Sequence, residues 1–294
     1  MIRLIHSTSL DVQKYDTCIS ESQQSLVYAY SWYLDIVCDS WSVLVLDDYM
    51  AVMPIPHRKK YFINYVYPPL WILQLGLFSK DRKIKISEFI VYLNKKFRFI
   101  ELRLNSENSF TEKVSNLRVM NFQELPLKKE MAEIRKSYQS DRRKDLKKAD
   151  RYGLVGTWVD DPRPLIELFR RNIGQRTPEI QSRDYLNLEQ LINSCIEKKK
   201  GELLSIYEKD QLVASAFFLK HQKTVTILCS STDFSNRNHG ANTFLIDLAI
   251  QKFKGEFDVF NFGGSSMESI AKYFFSFGAQ QRNYPMLLRK FTLF

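Results

Sequence analysis

The chain has 294 residues, of which 45% are hydrophobic and 26% charged, and its 43 Lys and Arg residues outnumber 33 Asp and Glu residues to give a net charge of +10. This composition excludes a disordered chain, and no apolar run approaches the roughly 20 residues that a membrane-spanning helix needs. The positive charge favours an anionic partner, such as phosphate, nucleic acid, an anionic cofactor or a membrane surface.

Residues 42–67 are predicted to form a meander of three strands. The strands are 42–46, 50–55 and 61–67, with turns at 47–48 and 57–60. Each strand is rich in apolar and β-branched residues, and each turn is polar. A helix near 82–96 and a strand over 97–104 complete this first group of elements.

A basic segment follows. Residues 131–152 contain no Pro or Gly, so they predict one helix, which ends at Gly153. Between 135 and 151, eight basic residues exceed three acidic ones. In one interpretation this helix, with Arg143 and Lys147 on one face, lines a cleft and contacts phosphates of tRNA, a nucleotide-linked precursor or an anionic acceptor. The alternative is a solvated helix face.

The first group of elements is then repeated. Two helices are predicted near 162–173 and 187–199, and a second meander covers 202–231. A helix near 241–254 and a strand over 257–262 follow it. Because order and lengths match the first group, the sequence predicts two copies of one α+β domain, at 1–125 and 126–294. The alternative is a coincidence between generic hairpins.

The loop before the helix near 241–254 is a candidate anion site. It contains Arg237, which can donate two parallel hydrogen bonds, and Gly240. Backbone N–H groups and the dipole at a helix start both favour phosphate. An ordinary turn and helix cap is the alternative.

A second candidate lies where the strand over 257–262 ends. Asn261 stands at its carboxyl end, and Gly263 and Gly264 follow, so bare backbone could let a ligand approach. Ser265 and Glu268 have the spacing of a capping box for the next helix. The alternative is a tight turn between strand and helix. A last strand is predicted over 282–293.

The spacing of the cysteines and histidines argues against a metal site. No two of the four cysteines form a CxxC pair, and no two of the four histidines lie three or four residues apart. Residues 1–6 contain too few apolar residues for a secretory signal, so we expect a cytoplasmic protein.

Taken together, the meander, the loop that opens a helix, the strand after it and the last helix resemble the acetyl-CoA-dependent N-acetyltransferase (GNAT) fold. The family's pyrophosphate loop reads Arg/Gln-x-x-Gly-x-Gly/Ala, and Arg237-Asn238-His239-Gly240-Ala241-Asn242 is similar to it. More closely, the chain resembles the tandem-GNAT, Fem-like branch of peptidoglycan aminoacyltransferases. Three stretches carry this resemblance: 54–78, the basic segment 140–153, and Asn261-Phe262-Gly263-Gly264-Ser265 with 274–279.

The resemblance implies an N-acyltransferase of bacterial cell-envelope metabolism. It would move an acyl group from acetyl-CoA or another acyl-CoA, or an aminoacyl group from aminoacyl-tRNA, to a small-molecule or peptide amine. No tightly bound cofactor, DNA partner or membrane span is expected. The alternative is a catalytically degenerate GNAT pair that acts as a basic binding module, because Asn242 replaces a small residue and Asn261 replaces the family's usual acid.

The resemblance also implies roles for individual residues. Tyr284 would protonate the leaving thiolate, or belong only to the last strand, and His239 would act as a base, or only as a loop residue. Asn261 completes the catalytic candidates. The donor would be held by Arg237, Asn238, His239, Gly240, Ala241 and Asn242. The acceptor would contact Arg143, Lys147, Gly263, Gly264 and Ser265.

Overall fold

The computed structural model describes residues 1–110, 114, 116–177, 180–264 and 267–289. Its strands are β1 (Ile2–His6), β2 (Trp41–Leu46), β3 (Ala51–Lys60), β4 (Ile63–Val66), β5 (Phe78–Ser79), β6 (Ile100–Arg103), β7 (Leu117–Pro126), β8 (Leu154–Val159), β9 (Gly201–Glu208), β10 (Gln211–His221), β11 (Thr224–Thr232), β12 (Val259–Asn261) and β13 (Gln280–Arg289). Its α-helices are α1 (Val12–Glu21), α2 (Ser31–Val37), α3 (Ile86–Lys96), α4 (Met131–Ser137), α5 (Ser140–Arg151), α6 (Arg163–Asn172), α7 (Ser182–Glu197), α8 (Ala241–Phe253) and α9 (Glu268–Phe275). None of these helices has the length and apolarity needed to cross a membrane.

The described residues form two compact units. The first contains Met1–Met120 and the residues from Asn283 onward, and the second contains Asn121–Arg282. The strand order of the first is β1-β2-β3-β4-β6-β13, with β5 on β3, and that of the second is β8-β9-β10-β11-β12-β7.

Both orders have the same strand directions. The first four strands are antiparallel neighbours, the fifth is parallel to the fourth, and the last is antiparallel to the fifth. This mixed sheet flanked by helices confirms the predicted α+β fold class.

Each sheet is completed by a strand from the other half of the sequence. β7 follows β6 along the chain, yet its residues 124–126 pair with β12. β13 follows α9, yet its residues 286–289 pair with β6. The units therefore differ from the predicted ranges 1–125 and 126–294, because strand pairing places 121–125 in the second unit and 283–289 in the first.

Two predicted elements have different bounds in the structure. β3 continues through the predicted turn at 57–60, and the turn itself is Tyr61-Phe62. The predicted helix over 131–152 is two helices, α4 and α5, because Tyr138 and Gln139 between them are extended. The Tyr138 ring packs edge-on against Phe277, and the Gln139 N–H donates to the Ser276 carbonyl at 2.8 Å.

Helix α8 lies at the centre of the second unit. Its apolar residues Leu245, Ala249 and Phe253 join a buried cluster with alternate residues of β10. Helix α4 is fixed to α8 by an ion pair in which Arg135 donates to both carboxylate oxygens of Asp247, at 3.0 and 2.6 Å. The Asp247 side chain is only 3% exposed.

Candidate active site

In the second unit, β12 ends at Asn261, whereas its parallel neighbour β11 continues for six more residues. They pair only over 224–226 and 259–261, whereas β11 continues to Thr232 in its pairing with β10. That second pairing skips Leu228, and such a bulge bends a strand. Among the described residues, 227–232 therefore have no strand partner on the side of β12.

Helix α8 begins at the end of the loop that leaves β11. Gly240 caps this helix with φ +86°, a left-handed conformation that favours glycine. The first N–H groups of a helix have no acceptor within it, and together with the dipole they favour an anion. Arg237 and Asn238 precede them in a short 3-10 turn and are both exposed. Ala241 is buried and Asn242 half-buried.

Gly240 also has a packing role. A Cβ atom at this position would lie 2.2 Å from the Asp145 carbonyl oxygen, so the loop and helix α5 are in direct contact. The glycine that the family resemblance assigns to the pyrophosphate loop therefore permits this close approach of two backbones.

A partly buried polar cluster joins α5, α8 and α9. The Arg142 guanidinium donates to Thr243 Oγ1 at 3.1 Å, pairs with Asp145 at 3.1 Å and lies 4.5 Å from the centre of the Tyr273 ring. Thr243 donates to Asp145 Oδ2 at 3.1 Å. Burial raises the pKa of Tyr273. The first turn of α8 is thus held by an arginine and an aspartate of the basic segment.

Sequence reasoning missed Arg142 and chose its neighbour. Arg143 donates to the Tyr138 carbonyl, but Arg143 and Lys147 are both exposed. The sequence does contain a signal for Arg142. Ala149, the buried residue of α5, lies seven residues further on, so Arg142 is on the same, inward face of the helix.

His239 is held by two neighbours. Its Nδ1 lies 2.7 Å from Glu208 Oε2, and its ring stacks on Tyr152 with 3.7 Å between ring centres. Asn236 Nδ2 donates to the same Glu208 oxygen at 3.0 Å. If Nδ1 carries the proton, Nε2 is the nitrogen that can accept another, as in a histidine oriented by a carboxylate.

These contacts predict a pH-dependent stability. The hydrogen bonds from His239 and Asn236 lower the pKa of Glu208 in the folded protein, so its carboxylate stabilises the fold above the unfolded pKa of about 4.3, and this stabilisation is lost as pH falls through the folded pKa. We expect Glu208→Gln to lower Tm at pH 7, with a deficit that shrinks toward about pH 3. Thermal unfolding from pH 7 to about pH 3 measures this difference in Tm, with Glu256→Gln at an exposed site as the control. A difference in Tm between Glu208→Gln and wild type that stays constant over this range would contradict the prediction.

Asn261 and the glycines after it form a tight turn. Asn261 Oδ1 accepts the Gly263 N–H at 2.8 Å, and Gly263 and Gly264 have φ of +80° and +75°. A Cβ on Gly264 would lie 2.8 Å from Phe122 Cβ. The side chain of Asn261 therefore supports backbone, and Ser265 lies outside the described residues.

Tyr284, the last catalytic candidate, and two other titratable groups, Cys229 and His221, are placed as follows. Tyr284 belongs to the first unit, whereas the 237–242 loop belongs to the second. Burial raises the pKa of the Tyr284 phenol. Cys229 on β11 is buried, which raises the pKa of its thiol to about 12. His221 ends β10, and burial lowers its pKa to about 4.

Gln123 on β7 was not predicted from the sequence. It is wholly buried, and neither its Oε1 nor its Nε2 has a hydrogen-bond partner among the described residues. Its backbone carbonyl accepts the N–H of Phe262, the residue after β12. A buried amide without partners is destabilising by about 1–3 kcal/mol, which makes it a candidate ligand contact.

Residues 135–273 match the family described as Acetyltransferase (GNAT) domain. No curated protein sequence is significantly similar to the chain. The solved structure of FemX is 11% identical, with a TM-score of 0.65 over 98% of each chain. L-PGS from Bacillus licheniformis is 13% identical, with a TM-score of 0.57 over 96% of this chain and 93% of its own.

A tandem GNAT protein from the clavulanic acid biosynthesis pathway is 7% identical, with a TM-score of 0.53 over the full length of both chains. At identities this low, the comparisons show similarity of fold alone. A fold of two similar domains agrees with the strand order that is repeated in the two units. Residues 135–273 thus match a GNAT domain, and the chain as a whole has the fold of two GNAT-like domains in tandem, as in these solved structures.

Proposed function

We propose that this protein transfers an acyl or aminoacyl group from a CoA thioester or an aminoacyl-tRNA to an amine. The observation that carries the proposal is the stretch of β11 beyond the end of β12, which leads into the loop that opens α8. An extended donor could add to the free edge of β11 as a strand does, with its phosphates at the N–H groups of the helix.

The chemistry of this transfer needs few side chains. The neutral amine attacks the donor carbonyl, a C–N bond forms, and the C–S bond of a thioester or the C–O bond of an aminoacyl ester breaks. The amine gives up a proton to a base or water, and the leaving sulfur or oxygen takes one up. Strand N–H groups can polarise the carbonyl, and His239, oriented by Glu208, is our candidate base.

Two further observations support ligand binding in this region. Arg237 is exposed and has no hydrogen bond or ion pair within the described ranges, so its guanidinium is available to a phosphate. The unpartnered amide of Gln123, next in sheet order to the end of β12, offers a donor and an acceptor to a polar substrate.

A titration tests the donor assignment. We expect coenzyme A and acetyl-CoA to bind in calorimetry, and Arg237→Ala to weaken binding by about 1–3 kcal/mol, the range for a hydrogen bond to a charged group. Arg171→Ala on α6 is the matched control, because Arg171 is also exposed but lies outside the loop, and it should bind like wild type.

Failure of both ligands to bind would contradict a CoA donor. In that case an aminoacyl-tRNA donor requires tRNA binding with steep salt dependence, since each neutralised phosphate releases counterions. Arg143→Glu with Lys147→Glu should flatten that dependence, because both side chains are exposed on α5. Unchanged tRNA binding in this pair would assign the anion site to other residues.

A catalytically degenerate pair that binds anions remains the second candidate. It is favoured by the turn at Asn261, where the side chain accepts a backbone N–H rather than serving as a base. Acetyl-CoA binding with no hydrolysis or transfer to any amine in a panel would support this candidate, and turnover would eliminate it.

A further inference from the structure

The hairpin that joins β3 to β4 ends in two aromatic side chains that contact little of the protein. Lys60 pairs with Ile63, so Tyr61 and Phe62 form a two-residue turn. Tyr61 is 84% exposed, Phe62 93% and Ile63 42%, and Phe62 is the most exposed large apolar residue in the described chain. We call residues 59–63 the hairpin tip.

The backbone of the tip is unfavourable for the residues it contains. Tyr61 and Phe62 have φ of +47° and +66°, and a turn with two positive φ angles normally takes Asn-Gly. Bulky side chains are rare in this conformation. The tip therefore combines backbone strain with exposed apolar surface, and neither stabilises the fold.

The second unit shows that the fold does not require aromatic residues here. Its equivalent hairpin joins β10 to β11, where His221 pairs with Thr224. The two turn residues there are Gln222 and Lys223, both polar and exposed. The same topology thus occurs in this chain with a polar turn, which points to a function specific to the first unit's tip.

Positive charges surround the two aromatic rings. The ammonium groups of Lys59 and Lys60 lie 5.6 Å from the centre of the Phe62 ring and 5.5 Å from that of Tyr61. Both lysines are exposed. Aromatic rings in the headgroup layer with lysines beside them are typical of segments that bind the surface of an anionic bilayer.

We propose that the hairpin tip inserts Tyr61 and Phe62 into the headgroup layer of an anionic lipid membrane, with Lys59 and Lys60 contacting lipid phosphates. Two aromatic side chains bury about 300–500 Å² together, whereas a stable protein–protein interface takes about 800 Å² from each partner. A small convex tip fits a bilayer, which needs no complementary pocket. Every residue used lies in the first unit, so the inference is independent of the acyl-transfer proposal.

Vesicle flotation with the full chain tests this inference. We expect binding to vesicles of phosphatidylcholine with phosphatidylglycerol, and a loss of at least tenfold in the double variant Tyr61→Asn with Phe62→Gly, because its apolar surface is gone. This variant has the residues that the turn prefers, so its Tm should equal or exceed that of wild type. Met50→Ser with Leu186→Ser, which removes two exposed apolar residues elsewhere, should bind like wild type.

A charge variant separates the two contributions. Lys59→Glu with Lys60→Glu should lose binding to the anionic vesicles about tenfold or more, and added salt should weaken wild-type binding. The proposal is overturned if wild type floats with no vesicle at low salt, or if the aromatic variant binds as well as wild type. If wild type binds no vesicle but forms dimers that the aromatic variant does not form, the tip is instead a site of self-association.

Discussion

Replacing Gly240 with alanine is expected to lower the free energy of unfolding by about 3 kcal/mol or more. Two effects add: alanine in the left-handed conformation costs about 1–2 kcal/mol, and its Cβ would overlap the Asp145 carbonyl oxygen. At φ +86° with only 2.2 Å available, α5 or α8 must move. Urea unfolding of the variant and wild type measures the difference.

A second glycine separates these two effects. Gly255 has φ +96°, and no atom of the described structure lies within 4 Å of a Cβ placed there. Gly255→Ala is therefore expected to lower the free energy of unfolding by the backbone cost alone, about 1–2 kcal/mol. Equal losses in the two variants would show that α5 does not press against the loop, and would leave Gly240 free for a ligand.

Arg135→Ala is expected to destabilise the second unit by about 3 kcal/mol. Removing the arginine leaves the Asp247 carboxylate, 3% exposed, without the partner that holds both its oxygens. Breaking a buried ion pair on one side typically costs about 3–5 kcal/mol, and the partial exposure of Arg135 places this pair at the low end. Denaturant unfolding gives the value.

An exposed pair of the same geometry is the control. Arg163 also contacts both carboxylate oxygens of its partner, Asp161, at 2.8 Å, but both side chains are exposed. Arg163→Ala should change stability little, because exposed pairs are weak. Replacing Asp247 with leucine in the Arg135→Ala background should recover part of the loss. No recovery would show that Arg135 stabilises α4 by packing and not by charge.

Local patterns in the sequence predicted the elements of the fold well. The strands of the meanders at 42–67 and 202–231 and the helix near 241–254 depend on neighbouring residues, so apolar periodicity located them, although the turn predicted at 57–60 lies instead at 61–62. Gly153 ends α5 with φ +63°, as predicted from its place after a helical run.

Features that depend on distant residues were not predictable in this way. The break between α4 and α5 needs Phe277 to cover Tyr138, and Ser276 to accept the Gln139 N–H, and both lie far along the chain. The pairing of β7 with β12 is equally non-local. In the candidate site, the motif over 237–242 located the loop. The role of Gln123 depends on its burial, which the sequence of one strand does not reveal.

The pairing of β13 with β6 has a consequence for how the protein is made. Arg103 emerges from the ribosome about 180 residues before its partner Met286. The edge of β6 therefore stays unpaired while the whole second unit is synthesised. Unpaired strand edges of this kind promote aggregation. Closing the sheet over so long a separation is also slow. The amino-terminal unit thus cannot complete its sheet until residues 286–289 have been synthesised.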